Sequence, residues 1–252
     1  PGALVSIALI AAILYFVAFQ AMWNSIRAAD YRILAGSAVL AFVWMGNRAK
    51  VWQTLLRDKP KYIDTLFAAS EGYLLNAFLP FRLGEIGRAF LLSRKSGMAF
   101  SEILPTIVIE RVVDLVFSAA FLIIGLTYVS DTQGSEKIGY IVGGLMLFGI
   151  VMMYVLARNR QWALDVFHKL SKRWPGLQKF GGSFLESFLD GLGVLTDGWL
   201  FLRFMFWMTL NWFVALAAYY LITLAFFPQA QPYWIFFVLG AAAFGGAIPA
   251  LP

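Results

Sequence analysis

Three stretches of this chain carry no charged side chain: residues 1–26, 138–157 and 204–252. A helix needs about 20 consecutive apolar residues to cross the hydrocarbon layer of a bilayer, so each stretch is long enough to do so. Only 13% of the 252 residues are charged and 61% are hydrophobic, whereas a soluble domain carries about 25% charged residues. A globule this apolar cannot cover itself with polar side chains. The chain therefore reads as all-α, a polytopic transmembrane helix bundle, with one membrane-embedded domain over residues 1–252. It starts at Pro1 and ends on Leu251-Pro252 without a polar tail, so it reads as part of a longer protein, cut at its C-terminal end.

The same composition narrows the chemistry. Without cysteine there is no thiol nucleophile, zinc–thiolate site or iron–sulfur cluster. His168 is the single histidine, which leaves little room for a histidine metal site or a Ser-His triad. No catalytic residue, metal or cofactor is assigned. The net charge of +6 lies between apolar spans, a pattern of membrane topology and anionic-lipid affinity rather than of nucleic-acid binding.

Spans are predicted at 3–22, 33–52, 105–129, 138–157, 204–227 and from 233 onward. Six bases against Asp165 lie in 158–179, and five against Asp58 (Arg48, Lys50, Arg57, Lys59 and Lys61) lie in 48–61. By the positive-inside bias both loops are cytoplasmic, in a multi-pass protein of a cell membrane. The connections 130–137 and 228–232 then lie outside, and 23–32 is a short loop with Arg27, Asp30 and Arg32. Two spans separate the basic loops, so 62–103 crosses twice or not at all. Its apolar first half, its Pro80 and its charged second half predict a re-entrant helical hairpin turning near Phe78–Arg82. A pair of in-plane amphipathic helices is the alternative. Interfacial cytoplasmic helices are predicted at 160–174, with Trp162, Val166, Leu170 and Trp174 on one stripe, and at 184–196. In the latter, Phe184, Leu185, Phe188, Leu189, Leu192 and Leu195 point inward, with Glu186 and Asp190 outward.

Seven ionisable residues fall within the membrane-depth region: Glu71, Arg82, Glu85, Arg88, Glu110, Arg111 and Asp114. Each costs about 2.5–3.5 kcal/mol at mid-bilayer, together roughly 20 kcal/mol if unpaired, which exceeds the stability of a typical domain, about 5–15 kcal/mol. They must pair or face water. Arg82, Glu85 and Arg88 are spaced as neighbours on one helix face, as are Arg111 and Asp114. One reading is an ion-pair clasp between the hairpin and span 105–129. The other is an anion site: the second half-helix starts near Leu83-Gly84, and its positive end with arginines beside it suits a phosphate headgroup. A second interrupted segment, LGAAAFGGAIPALP at 239–252, is either another broken helix or close packing through small residues; GYIVGG at 139–144 reads as packing.

The strings GYLLNAFLPFRLGEIGRAFLLSRKSG (72–97) and TIVIERVVDL (106–115) resemble the lysylphosphatidylglycerol synthase transmembrane region, or flippase-like, family. The family pattern N-x-x-x-P-x-R-x-G-E-x-x-R falls on Asn76, Pro80, Arg82, Gly84, Glu85 and Arg88, and E-R-x-x-D falls on Glu110, Arg111 and Asp114. The closing GGAIPALP is similar to the start of a second signature, a proline followed by glycines and an acid, and stops before those glycines. The resemblance implies a bundle with two re-entrant elements that moves lipid between leaflets, with Pro80, Gly84, Pro249 and Pro252 as hinges. Its lipids would be anionic or aminoacylated phospholipids, or isoprenoid lipids such as polyprenyl-linked ones. The soluble aminoacyl-transferase domain of bifunctional members is not in this sequence, so lipid aminoacylation is not assigned.

Three functions follow as expectations. The first is a lipid flippase-like transporter and not an enzyme, with Arg82, Arg88, Arg111 and Asn76 binding the headgroup. Glu71, Glu85, Glu110 and Asp114 would position the arginines or couple protons. The second is a non-transporting partner of a lipid-modifying enzyme, in which a Glu85/Arg88 charge swap should be tolerated. The third is a lipid-linked glycosyl or acyl transferase. A homodimer is compatible with the packing signals.

Overall fold

The computed structural model describes residues 19–79, 82–129, 154–172 and 175–247, with short pieces between 144 and 152. Among these residues the elements are α1 (Phe19–Ala28), α2 (Tyr31–Leu55), α3 (Tyr62–Phe78), α4 (Leu83–Ser96) and α5 (Phe100–Val129). They continue with α6 (Arg160–Ser171), α7 (Pro175–Gly191), a 3-10 turn (Leu192–Leu195), α8 (Gly198–Phe226) and α9 (Trp234–Ala247). The protein is all-helical, with no strand among the described residues. Pro80, Pro249, Pro252 and the parts 3–18 and 138–143 of the spans predicted at 3–22 and 138–157 lie outside them.

Local chemistry sets the ends of the long helices. Asp30 caps α2, its carboxylate accepting from the Arg32 and Ile33 amides, and Asp197 caps α8 by accepting from Leu200. Gly97, at φ 71°, closes α4 in the left-handed conformation that glycine takes without strain. The 29 residues of α8 span about 43 Å at ~1.5 Å per residue. By length and composition α8 can cross a membrane, and α1 and α2 together can do so with an 87° bend between them. The predicted loop at 23–32 is thus mostly helix. Only Ala29 and Asp30 break it, and the Asp30 amide donates to the Ala225 carbonyl at the end of α8.

Other boundaries shift for physical reasons. The predicted start of the third span at Pro105 is overrun by α5, which begins at Phe100 and carries Pro105 in its second turn. The ring of Pro105 occupies the space above Gly191, where a Cβ would come within 2.9 Å of it. The span predicted from 204 starts at Gly198, because Arg203 can reach out of the helix to Asp58 at 2.7 Å.

α2 packs along α8, α5 along α9, and α3 against α4. The main core surrounds Phe204, Met208 and Trp212 of α8, with Val51 and Leu55 of α2 and Ile109 of α5. A second core, with Trp52, Ala68, Ala89, Leu92 and Ile103, seats the α3–α4 hairpin on α2 and α5. The outer surface is strongly apolar. Phe42 is 81% exposed, and Trp199, Leu202, Phe206 and Phe213 form an uncovered aromatic and aliphatic flank on α8, far larger than a water-facing protein tolerates.

The amphipathic pair follows the predicted order. α6 presents Ala163, Leu164 and Ser171 to the protein, while Trp162 and Leu170 of the predicted stripe stay exposed; Trp174 lies outside the described residues. In α7, Leu189 is buried and the following Leu192 with it, whereas Phe184 is exposed. Glu186 and Asp190 lie on the exposed side as predicted, and Asp190 joins the two helices through Arg160 at 2.9 Å.

Candidate functional site

The α3–α4 break falls where the sequence predicts it, at Leu79–Arg82. The two helices then run so close that no side chain fits at Gly72 or Gly84. A Cβ on Gly84 would overlap the Gly72 carbonyl and the Asn76 amide, and one on Gly72 would lie 2.6 Å from the Cβ of Arg88. Arg82 precedes the first turn of α4 in a left-handed conformation, φ 55°, with no side chain capping that helix end. A non-glycine residue there carries strain.

The predicted cluster divides into two halves. At the buried centre is Glu110, with no exposed surface. Its Oε1 accepts from Arg48 at 2.5 Å, Arg88 at 2.9 Å and Arg111 at 3.0 Å. The Arg48 guanidinium also grips both oxygens of Asp114, the planar fork matching the carboxylate. Arg88 stacks 4.6 Å from the centre of the Trp52 ring, a favourable cation–π position. Trp52 in turn donates to Thr106 at 3.0 Å. Arg48 and Arg88 are each only 2% exposed.

The second half lines a cleft of about 640 Å³ between the hairpin, α5, α8 and α9. Arg111 contacts Glu85 at 3.1 Å and Asp114 at 3.2 Å there, whereas among the described residues Arg82 has only Glu85, at 3.9 Å, and is over a third exposed. The rest of the lining is mainly apolar, with Ile107, Val108 and Val112 of α5 and Leu239, Ala242 and Ala243 of α9, beside Ser118, Asn211 and Tyr219. Four arginines meet three carboxylates, which leaves a net charge of +1.

Three assignments from the sequence change. Glu71 is not in the cluster: it pairs with Lys95 at 3.2 Å on the more exposed side of the hairpin. Arg88 turns away from Glu85 toward Glu110, so the two residues of the Glu85/Arg88 swap are not partners and the informative swap is Arg88 with Glu110. Arg48, counted among the cytoplasmic bases, is a central member of the cluster. One signal could have found it: Arg48 directly follows the uncharged apolar run 33–47, which places it at the end of an apolar helical stretch. Asn76 lies beside Gly72, Tyr73, Glu85, Arg88 and Arg111, with its Oδ1 buried and unpartnered.

Nearer the surface, Asp58 joins Lys50 at 3.1 Å and Arg203 at 2.7 Å, fastening the end of α2 to the start of α8. Partial burial works against its charge, but the hydrogen bonds from Arg203 and Lys50 prevail and hold its carboxyl below the usual range.

The sequence model of one family, described as the lysylphosphatidylglycerol synthase TM region, matches residues 2–252. No curated protein and no solved structure matches the chain.

Proposed function

The chain belongs to the lysylphosphatidylglycerol synthase TM region family and is an integral membrane protein, and from that premise we propose that it is a lipid flippase-like transporter. It carries an anionic or aminoacylated phospholipid, or an isoprenoid lipid, between the leaflets of a bacterial cytoplasmic membrane, and is not itself an enzyme. The observation that carries this reading is the pairing of Arg82 with the cleft. In a chain this short of charge, a partly exposed arginine with, among the described residues, a single acid at 3.9 Å opens on a cleft whose lining is otherwise mainly apolar. An amphiphile with a phosphate at one end matches both parts.

In this reading the roles divide. Arg82 meets the phosphate first, assisted by the uncapped start of α4, whose amides carry partial positive charge. Arg111 shares it by loosening its hold on Glu85 or Asp114, and Asn76 supports that side. Arg48, Arg88 and Glu110 position the cleft wall without touching lipid. The excess of one positive charge is neutralised when an anion binds.

A clasp without transport, the scaffold of a lipid-modifying enzyme, is the second reading, and the complete burial of Glu110 among three arginines favours it. Reconstituted vesicles separate the two. Arg82→Ala and Glu85→Gln should fold and yet lose at least tenfold in the rate at which a fluorescent anionic phospholipid changes leaflet. Unchanged rates in both variants would leave the scaffold.

A further inference from the structure

One face of α4 is apolar, uncovered and bounded by an arginine at each end. Leu83, Ile86 and Phe90 are 41%, 50% and 50% exposed. Their spacing of three and four residues, continued by Arg94 four further on, puts all four side chains on one side of the helix. Arg94 is exposed, and its guanidinium lies 5.2 Å from the centre of the Phe90 ring, a cation–π position at the end of the stripe. The neighbouring Lys95 is engaged with Glu71 at 3.2 Å and with the Phe67 ring of α3. Arg94 has no carboxylate partner among the described residues. At the opposite end Arg82 directly precedes Leu83, and of the three apolar residues Ile86 also lines the cleft. The stripe and the cleft therefore share a wall. Leu83 and Arg94 are 11 residues apart, about 16 Å along the helix axis. That matches the ~15 Å of hydrocarbon in one leaflet, half of a core ~30 Å thick.

We infer that this face of α4 is a loading site for one anionic membrane phospholipid, occupied before the lipid enters the cleft. Arg94 holds the phosphate with its planar fork, and one acyl chain lies along Phe90, Ile86 and Leu83. The inference rests on the headgroup reading above and deepens it by adding a first contact outside the cleft. A lipid docked in this way stands upright in its own leaflet and has its chain against the cleft wall at Ile86. The flank of α8 supplies the contrast. Leu202, Phe206 and Phe213 are just as uncovered, but the one base of that helix, Arg203, is already bound to Asp58 at 2.7 Å. That flank meets lipids of any charge alike, whereas the α4 face selects the anionic ones.

The test uses the full chain in nanodiscs that carry traces of phosphatidic acid or phosphatidylcholine, each with the same photoactivatable diazirine-bearing acyl chains. Labelled peptides are mapped by mass spectrometry, and labelling of 83–94 is normalised to that of the α8 flank. Phosphatidic acid should label the α4 face about fivefold more than phosphatidylcholine does, the weight of one basic side chain at an anionic surface. Arg94→Gln should bring that ratio close to unity, while labelling of the α8 flank, which reports the fold, stays unchanged. In reconstituted vesicles the same variant should move dilute anionic lipid about fivefold more slowly. A ratio near unity in wild-type protein, or one that survives Arg94→Gln, overturns the loading site and leaves the cleft arginines standing. Enriched labelling of a wild-type protein that moves no lipid means a static contact, and the transport reading and the loading role then fall together.

Discussion

The two halves of the charged cluster use the same side chains in opposite ways. Around Glu110, Arg48 and Arg88 are nearly sealed from solvent, and every charge has a partner at hydrogen-bonding distance. Along the cleft, Arg82 sits at the outer limit of ion-pair distance from its one partner among the described residues, and Arg111 is divided among three acids. The buried half has the properties of structure, since removing one member of a sealed ion network strands the others. The cleft half has the properties of a site, since its pairs are incomplete and accessible. A cluster of charges in a membrane is thus not one thing, and its parts are told apart by burial and by how many partners each charge has.

That distinction can be broken by experiment. The largest expected effect is Glu110→Gln, which leaves Arg48 with Asp114 alone and strips Arg88 of its carboxylate partner; thermal unfolding in lipid should show a loss of about 3–5 kcal/mol. A stable, fully active Glu110→Gln protein would end the idea of a structural half. Next comes Gly84→Ala, whose methyl group must push α4 off the Gly72 carbonyl; about 1–3 kcal/mol should be lost, together with transport.

Asp58 should matter less, because it is a partly exposed pair of the kind that contributes at most about 1 kcal/mol. Its carboxyl is held below its unfolded value, so its contribution is full above about pH 4 and fades as the pH falls through the depressed folded value. Asp58→Asn should lower stability at neutral pH and remove that acid-side decline, which pH-dependent unfolding can read. The smallest effect on stability is expected for Arg82→Ala, within about 1 kcal/mol of wild type, combined with the loss of translocation described above. A large destabilisation by Arg82→Ala would erase the contrast between the halves.

Sequence alone reveals a good deal of this. Apolar runs mark α2, α5, α8 and α9, with the charges of α5 confined to Glu102, Glu110, Arg111 and Asp114. The hairpin turn is legible in the switch from an apolar helix to Arg82, Glu85 and Arg88. What the sequence hides are partners across helices. Spacing along a helix reports which residues share a face, so Arg82 and Glu85 are rightly neighbours. It does not report the rotation of α4 that aims Arg88 at Glu110 instead. Glu71 and Lys95 are joined only by hairpin geometry, and Arg48 is disguised by the bases that follow it.

The contact of Gly72 with Gly84 has a mechanical consequence. With backbone lying on backbone at Gly72 and Gly84, a side chain at either position would wedge the α3–α4 hairpin open. Arg82 stands just before the first turn of α4 and Arg88 further along the same helix, pinned to Glu110. The ion pair that satisfies Glu110 therefore also anchors the arm of the hairpin that carries Arg82.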